Sequence, residues 1–176
     1  MARLPYARLD SPEVRPLVER IVAERGSVLH LYQMLLHSPP LAKGWLTFLT
    51  AVRHQLDLPG DLRELVIMRV ALLNGAPYEA EQHAPIALRE GLTQAQLDVL
   101  ADWSAHRTAY NAEQCAVLAL CDSMTRDIHV PADVMAAVVT ALGQRQAVEM
   151  TATIAAYNMV SRFLEAMQIH STDPRD

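Results

Sequence analysis

The chain has 176 residues, of which 51% are hydrophobic and 20% charged, so it can form a buried core and is too apolar to be a disordered protein. Lys and Arg number 15 against 20 Asp and Glu, and the resulting net charge of -5, without a basic stripe, argues against a nucleic-acid partner. Two cysteines cannot form a disulfide framework, which favours a cytoplasmic protein.

Size and apolar patterning favour one soluble domain over residues 1–176. The longest apolar run, Leu65 to Leu73, contains Arg69 and is far shorter than the roughly 20 residues that a membrane span requires. The first ten residues lack the apolar segment of a secretory signal. We therefore expect no membrane partner.

Helix start and stop signals follow one another along the whole chain. Ser11-Pro12-Glu13 has the order of an N-cap and first turn, Gly26 is placed to end that helix, and Ser27 can cap the next one. The predicted helices cover residues 13–25, 28–37, 41–55, 62–73, 78–90, a stretch after 93, 112–126, 131–143 and 144–169.

Two further patterns refine these helices. Thr93 to Gln96 and Asn111 to Gln114 have the spacing of capping boxes, and Gly143 separates the last two helices. The 62–73 helix is apolar on nearly all sides, which predicts that it is buried. Strand patterns are absent from the sequence, so the predicted fold class is all-α.

Glu64 is the first candidate functional residue, because it lies beside three consecutive apolar residues of the predicted buried helix. Two interpretations stay open. Glu64 is either a structural ion-pair partner or a carboxyl group whose pKa is raised by burial, so that it holds a proton near neutral pH.

Glu79 and His83 are the second candidates, since residues four apart lie on one face of a helix. Histidine is the side chain best suited to proton transfer near neutral pH, and Glu79 can orient its ring. Tyr78 stands at the start of the same helix. An isolated E-x-x-x-H pair is also common on helix surfaces, and no further ligands are spaced for a metal, so no metal site is predicted.

Cys115 and Cys121 are six residues apart on one predicted helix, on different faces, and cannot form a C-x-x-C pair. We expect both to be core thiols. No phosphate-binding glycine loop and no nucleophile elbow are present.

Five stretches of this sequence resemble the carboxymuconolactone decarboxylase family, whose larger group includes the AhpD-like alkylhydroperoxidases. The stretches begin at residues 37, 62, 78, 90 and 156 and read HSPPLA-x-GW, LRELVIMRVA, YE-x-x-x-H-x-PIA, EGLT and AYNMVSRF. Together they lie within residues 28–169, the expected core of the domain.

The resemblance implies an AhpD-like helical bundle that assembles as a homo-oligomer, a trimer or a hexamer, with a small pocket between helices. Glu64 and His83 match the proton-relay glutamate and the histidine of the AhpD-like branch. The two cysteine positions of that branch fall on Ala76 and Glu79. Thiol peroxidase chemistry is therefore not expected, because the nucleophile is missing.

The implied activity is that of a cofactor-free lyase, which decarboxylates a small carboxylated lactone or related acid. The catalytic residues would be His83 as acid–base group and Glu64 as proton relay, with Glu79 orienting His83. Tyr78 would donate a hydrogen bond to the substrate. Arg162, or alternatively Arg89, would bind the substrate carboxylate, and only the charge of these side chains suggests this role. The alternatives are a related cofactor-free isomerase or dehydratase, and a non-catalytic oligomeric helical binding module.

Overall fold

The computed structural model describes residues 1–174, and within this range the chain forms helices and no strand, which confirms the predicted all-α class. Short 3-10 turns lie at Leu100–Asp102 and Arg107–Ala109. The α-helices are α1 (Arg15–Arg25), α2 (His30–Leu35), α3 (Pro39–His54), α4 (Gly60–Asn74), α5 (Pro77–Arg89), α6 (Gln94–Val99), α7 (Ala112–Asp122) and α8 (Ala132–Met167).

The residues at which the helices begin and end can be compared with the predicted caps. α1 begins at Arg15 rather than near Ser11, whose backbone carbonyl accepts hydrogen bonds in a preceding turn. Gly26 ends α1 in the left-handed conformation, with φ of 79°, as predicted. Ser27 does not cap α2, because Leu29 occupies the N-cap position.

Both predicted capping boxes are confirmed. Thr93 accepts a hydrogen bond from the backbone of Gln96 at 3.2 Å, and Asn111 accepts one from Gln114 at 2.8 Å. Gly143 has φ of 77° and ψ of 170°, so the helical backbone of α8 is interrupted there, as the sequence predicted. α7 ends earlier than predicted, because residues 123–127 form a π-helical turn.

The described residues form two compact units, residues 1–55 with 164–174 and residues 56–163. The sequence predicts one domain over residues 1–176, and this stays a prediction. In the first unit, the carboxylate of Glu24 on α1 accepts hydrogen bonds from Arg20 at 2.6 Å and from Thr50 of α3 at 2.5 Å. Near the C-terminus, Asp173 accepts a hydrogen bond of 2.6 Å from Tyr6.

The second unit is built around α4, which packs against α5 and α7. Its buried residues occupy every side of the helix, as the apolar pattern predicted. They are Leu62, Glu64, Leu65, Val66, Ile67, Met68, Arg69, Val70 and Ala71. Two of these buried residues, Glu64 and Arg69, are charged. The side chains that pair with them determine how the neighbouring elements pack against α4.

Arg69 is one of these buried charges, with 3% of its surface exposed. Its guanidinium forms two hydrogen bonds to the carboxylate of Asp122 on α7, at 2.6 and 2.8 Å. It also donates to the backbone carbonyls of Leu100 and Ala101 at 2.9 Å. This bidentate pair joins α4, α7 and the 3-10 turn with its charge fully compensated.

Replacing Arg69 by Ala should lower the free energy of unfolding by about 3–5 kcal/mol, since it leaves a partly buried carboxylate and two carbonyls without their partner. Arg126→Ala is the matched control. Arg126 approaches Asp122 at 3.6 Å from a side chain that is 56% exposed, and its loss should cost less than about 1 kcal/mol. Denaturant unfolding measures both values, and equal losses would contradict this account.

Candidate active site

Glu64 and His83 meet in the second unit. His83 lies on α5, 19 residues after Glu64, and its Nδ1 is 2.6 Å from Oε2 of the carboxylate. Glu64 has no exposed surface and His83 is 7% exposed. The α4–α5 packing therefore brings together the two residues that the sequence singled out for proton transfer.

Arg63 provides the second partner of the Glu64 carboxylate. Its Nε donates to Oε1 of Glu64 at 3.1 Å, and its Nη2 donates to Oε1 of Glu90 at 3.1 Å. The guanidinium is mostly buried, with 13% of its side chain exposed. Each oxygen of Glu64 thus has a nitrogen donor, which is the condition for keeping a charge in a buried site.

Burial raises the pKa of Glu64, but the hydrogen bond and charge of His83, with the charge of Arg63, outweigh it and leave the pKa below its ordinary 4.5. Of the two interpretations of Glu64, the lowered pKa favours the structural ion pair over the proton-holding carboxyl group. An ionised carboxylate only accepts hydrogen bonds, so Nδ1 of His83 is the donor in their contact.

Glu79 occupies a different environment. It is 2% exposed, and neither carboxyl oxygen has a hydrogen-bond partner among residues 1–174. Glu64, rather than Glu79, is the residue that hydrogen-bonds to the ring of His83. Burial raises the pKa of Glu79 well above its ordinary 4.5, which favours the protonated form of this carboxyl group.

The remaining predicted site residues differ in their exposure. Tyr78 is 3% exposed beside Glu79, at the start of α5. Arg162 is exposed on α8, whereas Glu64 and His83 are buried on α4 and α5. Tyr157, which residue spacing alone did not single out, packs its ring edge-on to His83, with centroids 5.1 Å apart and an interplanar angle of 89°.

The two cysteines lie apart from this site. Cys121 is fully buried on α7, within 3.7 Å of the carbonyl oxygen of Val66, and burial raises the pKa of its thiol to about 12. Cys115 is half-buried rather than a core thiol, and it lines an open groove of about 640 Å³ with Arg107 and Asp133. Neither residue pairs with the other as a dithiol.

Among residues 1–174, none of the helices combines the length and the hydrophobicity of a membrane-spanning segment. The same residues contain no cluster of three or more histidine, cysteine or acidic side chains that could hold a metal ion.

The model of the Carboxymuconolactone decarboxylase family matches residues 39–122, a segment that contains Glu64, Glu79 and His83. This segment of the chain is similar to that family. A comparison with curated proteins finds no match.

Solved structures of AhpD-like proteins share the fold of nearly the whole chain. The AhpD core of a peroxidase-related protein from Ralstonia eutropha JMP134 has a TM-score of 0.82 and 17% identity, covering 98% of this chain and 93% of that one. A variant of the debrominase Bmp8, in complex with 2,3,4-tribromopyrrole, has a TM-score of 0.79 and 18% identity, with coverage of 97% and 93%. At these identities the likeness establishes the fold.

Residue spacing missed two contacts of the site for identifiable reasons. Arg63 is adjacent to Glu64, and neighbouring helix residues do not normally face each other, so spacing gave no sign of their pairing. Tyr157 is distant along the chain from His83, and only the resemblance of residues 156–163 to the family drew attention to it.

Glu64→Gln should lower the free energy of unfolding by about 3 kcal/mol at neutral pH, because it removes the central charge of a buried pair. The lowered pKa of Glu64 means that its contribution is complete above about 4.5 and is lost as the pH falls through the folded-state value. Unfolding free energies of the wild type should therefore fall more steeply below pH 4.5 than those of the variant.

Glu113→Gln is the control, because Glu113 is exposed in the first turn of α7. Its stability curve should follow the wild type at every pH. Parallel acid limbs for the wild type and Glu64→Gln would refute the ion pair.

Proposed function

We propose that this protein is a cofactor-free lyase that acts by general acid–base catalysis on a small carboxylated lactone or a related acid. The buried hydrogen bond between Glu64 and His83 is the observation that carries the proposal. It orients an imidazole by an ionised carboxylate, the arrangement in which a histidine can exchange a proton with a substrate. The match of residues 39–122 to the carboxymuconolactone decarboxylase family model supports the choice of reaction.

In the proposed reaction the bond between the ring and the substrate carboxylate breaks, and carbon dioxide leaves without the bonding electron pair. That pair moves into the conjugated lactone, which forms an enolate, and His83 donates a proton from Nε2 to the resulting carbon. Solvent then restores the proton of His83. Glu64 stabilises the positive charge of the ring while it carries two protons.

The other side chains have supporting roles in this proposal. Tyr78 donates a hydrogen bond to a substrate oxygen, and Tyr157 holds the ring of His83 in place through its edge-on contact. Arg162 keeps its proposed role as a substrate-carboxylate ligand only if substrate binding brings that exposed side chain to the site. Glu64 is a positioning residue, since it acts through His83.

His83→Ala should reduce carbon dioxide release from an unsaturated lactone carboxylic acid by about 100-fold to 10,000-fold, the usual contribution of a general acid. His129→Ala is the matched control, because His129 is exposed in the same unit, and it should retain wild-type turnover. Headspace carbon dioxide distinguishes decarboxylation from isomerisation or dehydration, which release none. Unchanged release by folded His83→Ala would remove His83 from the mechanism.

We propose further that the protein assembles as a homo-oligomer through α8. An open apolar groove of about 560 Å³ runs along this helix on both sides of Gly143. Val148 within it is 69% exposed, and Met159 farther along the helix is 39% exposed. Apolar surface of this kind marks sites where protein chains associate.

Val148→Glu should therefore shift the mass measured by light scattering from a multiple of 19.5 kDa to 19.5 kDa, since a charge in an apolar contact is strongly unfavourable. Thr140→Glu, an exposed position of the same helix outside the groove, is the control and should keep the wild-type mass. A wild-type monomer, or an unchanged mass for Val148→Glu, would contradict assembly through this groove.

A further inference from the structure

Glu79 differs from Glu64 and Arg69, which are also buried in the same unit. Glu64 is paired with Arg63 and His83, and Arg69 is paired with Asp122. Glu79 is equally buried, at 2% exposure, yet both of its carboxyl oxygens lack a hydrogen-bond partner. A polar side chain without partners in a folded interior costs about 1–3 kcal/mol, so its presence needs a reason.

Burial determines which protonation state of the Glu79 carboxyl group is favoured. An ionised carboxylate without partners would lose its hydration and gain nothing in return, and the pKa of Glu79 is accordingly raised well above 4.5. Burial without a hydrogen-bond partner favours the neutral carboxylic acid form of this side chain. It therefore presents an O–H donor and a carbonyl acceptor, both unused within the described residues.

The position of Glu79 relates it to the catalytic histidine. It lies in the first turn of α5, four residues before His83, so both side chains project from one face of the helix about 6 Å apart along its axis. A ligand that reaches Nε2 of His83 from this face comes next to the carboxyl group of Glu79.

We propose that the carboxyl group of Glu79 donates a hydrogen bond to an oxyanion of the bound ligand. This inference rests on the proposed function, in which the lactone oxygen gains negative charge as carbon dioxide leaves. A neutral acid suits that role because it stabilises the charge without repelling it, whereas an ionised Glu79 would oppose it. The two carboxyl groups, in contrasting environments, then have different roles. Glu64 orients His83, and Glu79 stabilises the oxyanion.

The test uses 4-nitrophenolate as the oxyanion probe, because its absorbance reports binding without any turnover. Wild-type protein should bind it, and Glu79→Leu should weaken the affinity by about 10-fold to 100-fold, the range for a hydrogen bond to a charged group. Glu79→Gln keeps an N–H donor of weaker acidity and should bind several-fold more weakly than the wild type. Glu113→Gln, the same substitution in the first turn of α7, should not change the affinity.

Infrared difference spectra at pH 7 complete the experiment. The wild type minus Glu79→Gln spectrum should contain the C=O band of a protonated carboxyl group, and the wild type minus Glu113→Gln spectrum should not. Should Glu79→Leu fail to fold, Glu79→Gln and this band decide the question together.

An ionised Glu79, a wild type that does not bind the probe, or equal affinities for the wild type and the folded Glu79 variants would each overturn the proposal. These outcomes are distinct from failure of the proposed function, which shows as absence of carbon dioxide release. A protein that binds the phenolate through Glu79 but releases no carbon dioxide would retain the oxyanion site and lose the lyase assignment.

Discussion

The charge on the buried carboxylate of Glu64 constrains the whole candidate site. A carboxylate with no exposed surface stays ionised only while donors occupy its oxygens, and Arg63 and His83 are those donors. Because His83 reaches it from α5, this requirement fixes how α5 lies against α4. The same contact commits Nδ1 of His83 to Glu64.

Two acidic side chains in this unit show how environment, rather than residue type, decides protonation. Glu64 has nitrogen donors on both oxygens and its pKa is lowered, while Glu79 has none and its pKa is raised. In the resemblance of this sequence to the AhpD-like branch, Glu79 stands at a cysteine position of that branch. Our proposal gives this position a neutral hydrogen-bond donor instead, which suits anionic chemistry on a carbon centre.

Much of the fold could be predicted because its signals are local. Gly26, Gly143 and the capping boxes at Thr93 and Asn111 end or begin helices through contacts within a few residues, and the all-round apolar pattern marked α4 as buried. The protonation of Glu64 could not be predicted in the same way. It depends on His83, 19 residues away, and on the side-chain direction of Arg63, neither of which a helical period determines.

Nitrogen NMR of the His83 ring tests the central claim most directly. With ¹⁵N-labelled histidine, and His83→Ala to assign the signals, the account predicts a proton on Nδ1 in a strong hydrogen bond that Glu64→Gln weakens. It also predicts that a carboxylated lactone shifts the Nε2 signal. A ring protonated on Nε2 alone, or signals that respond neither to Glu64→Gln nor to the lactone acid, would contradict it.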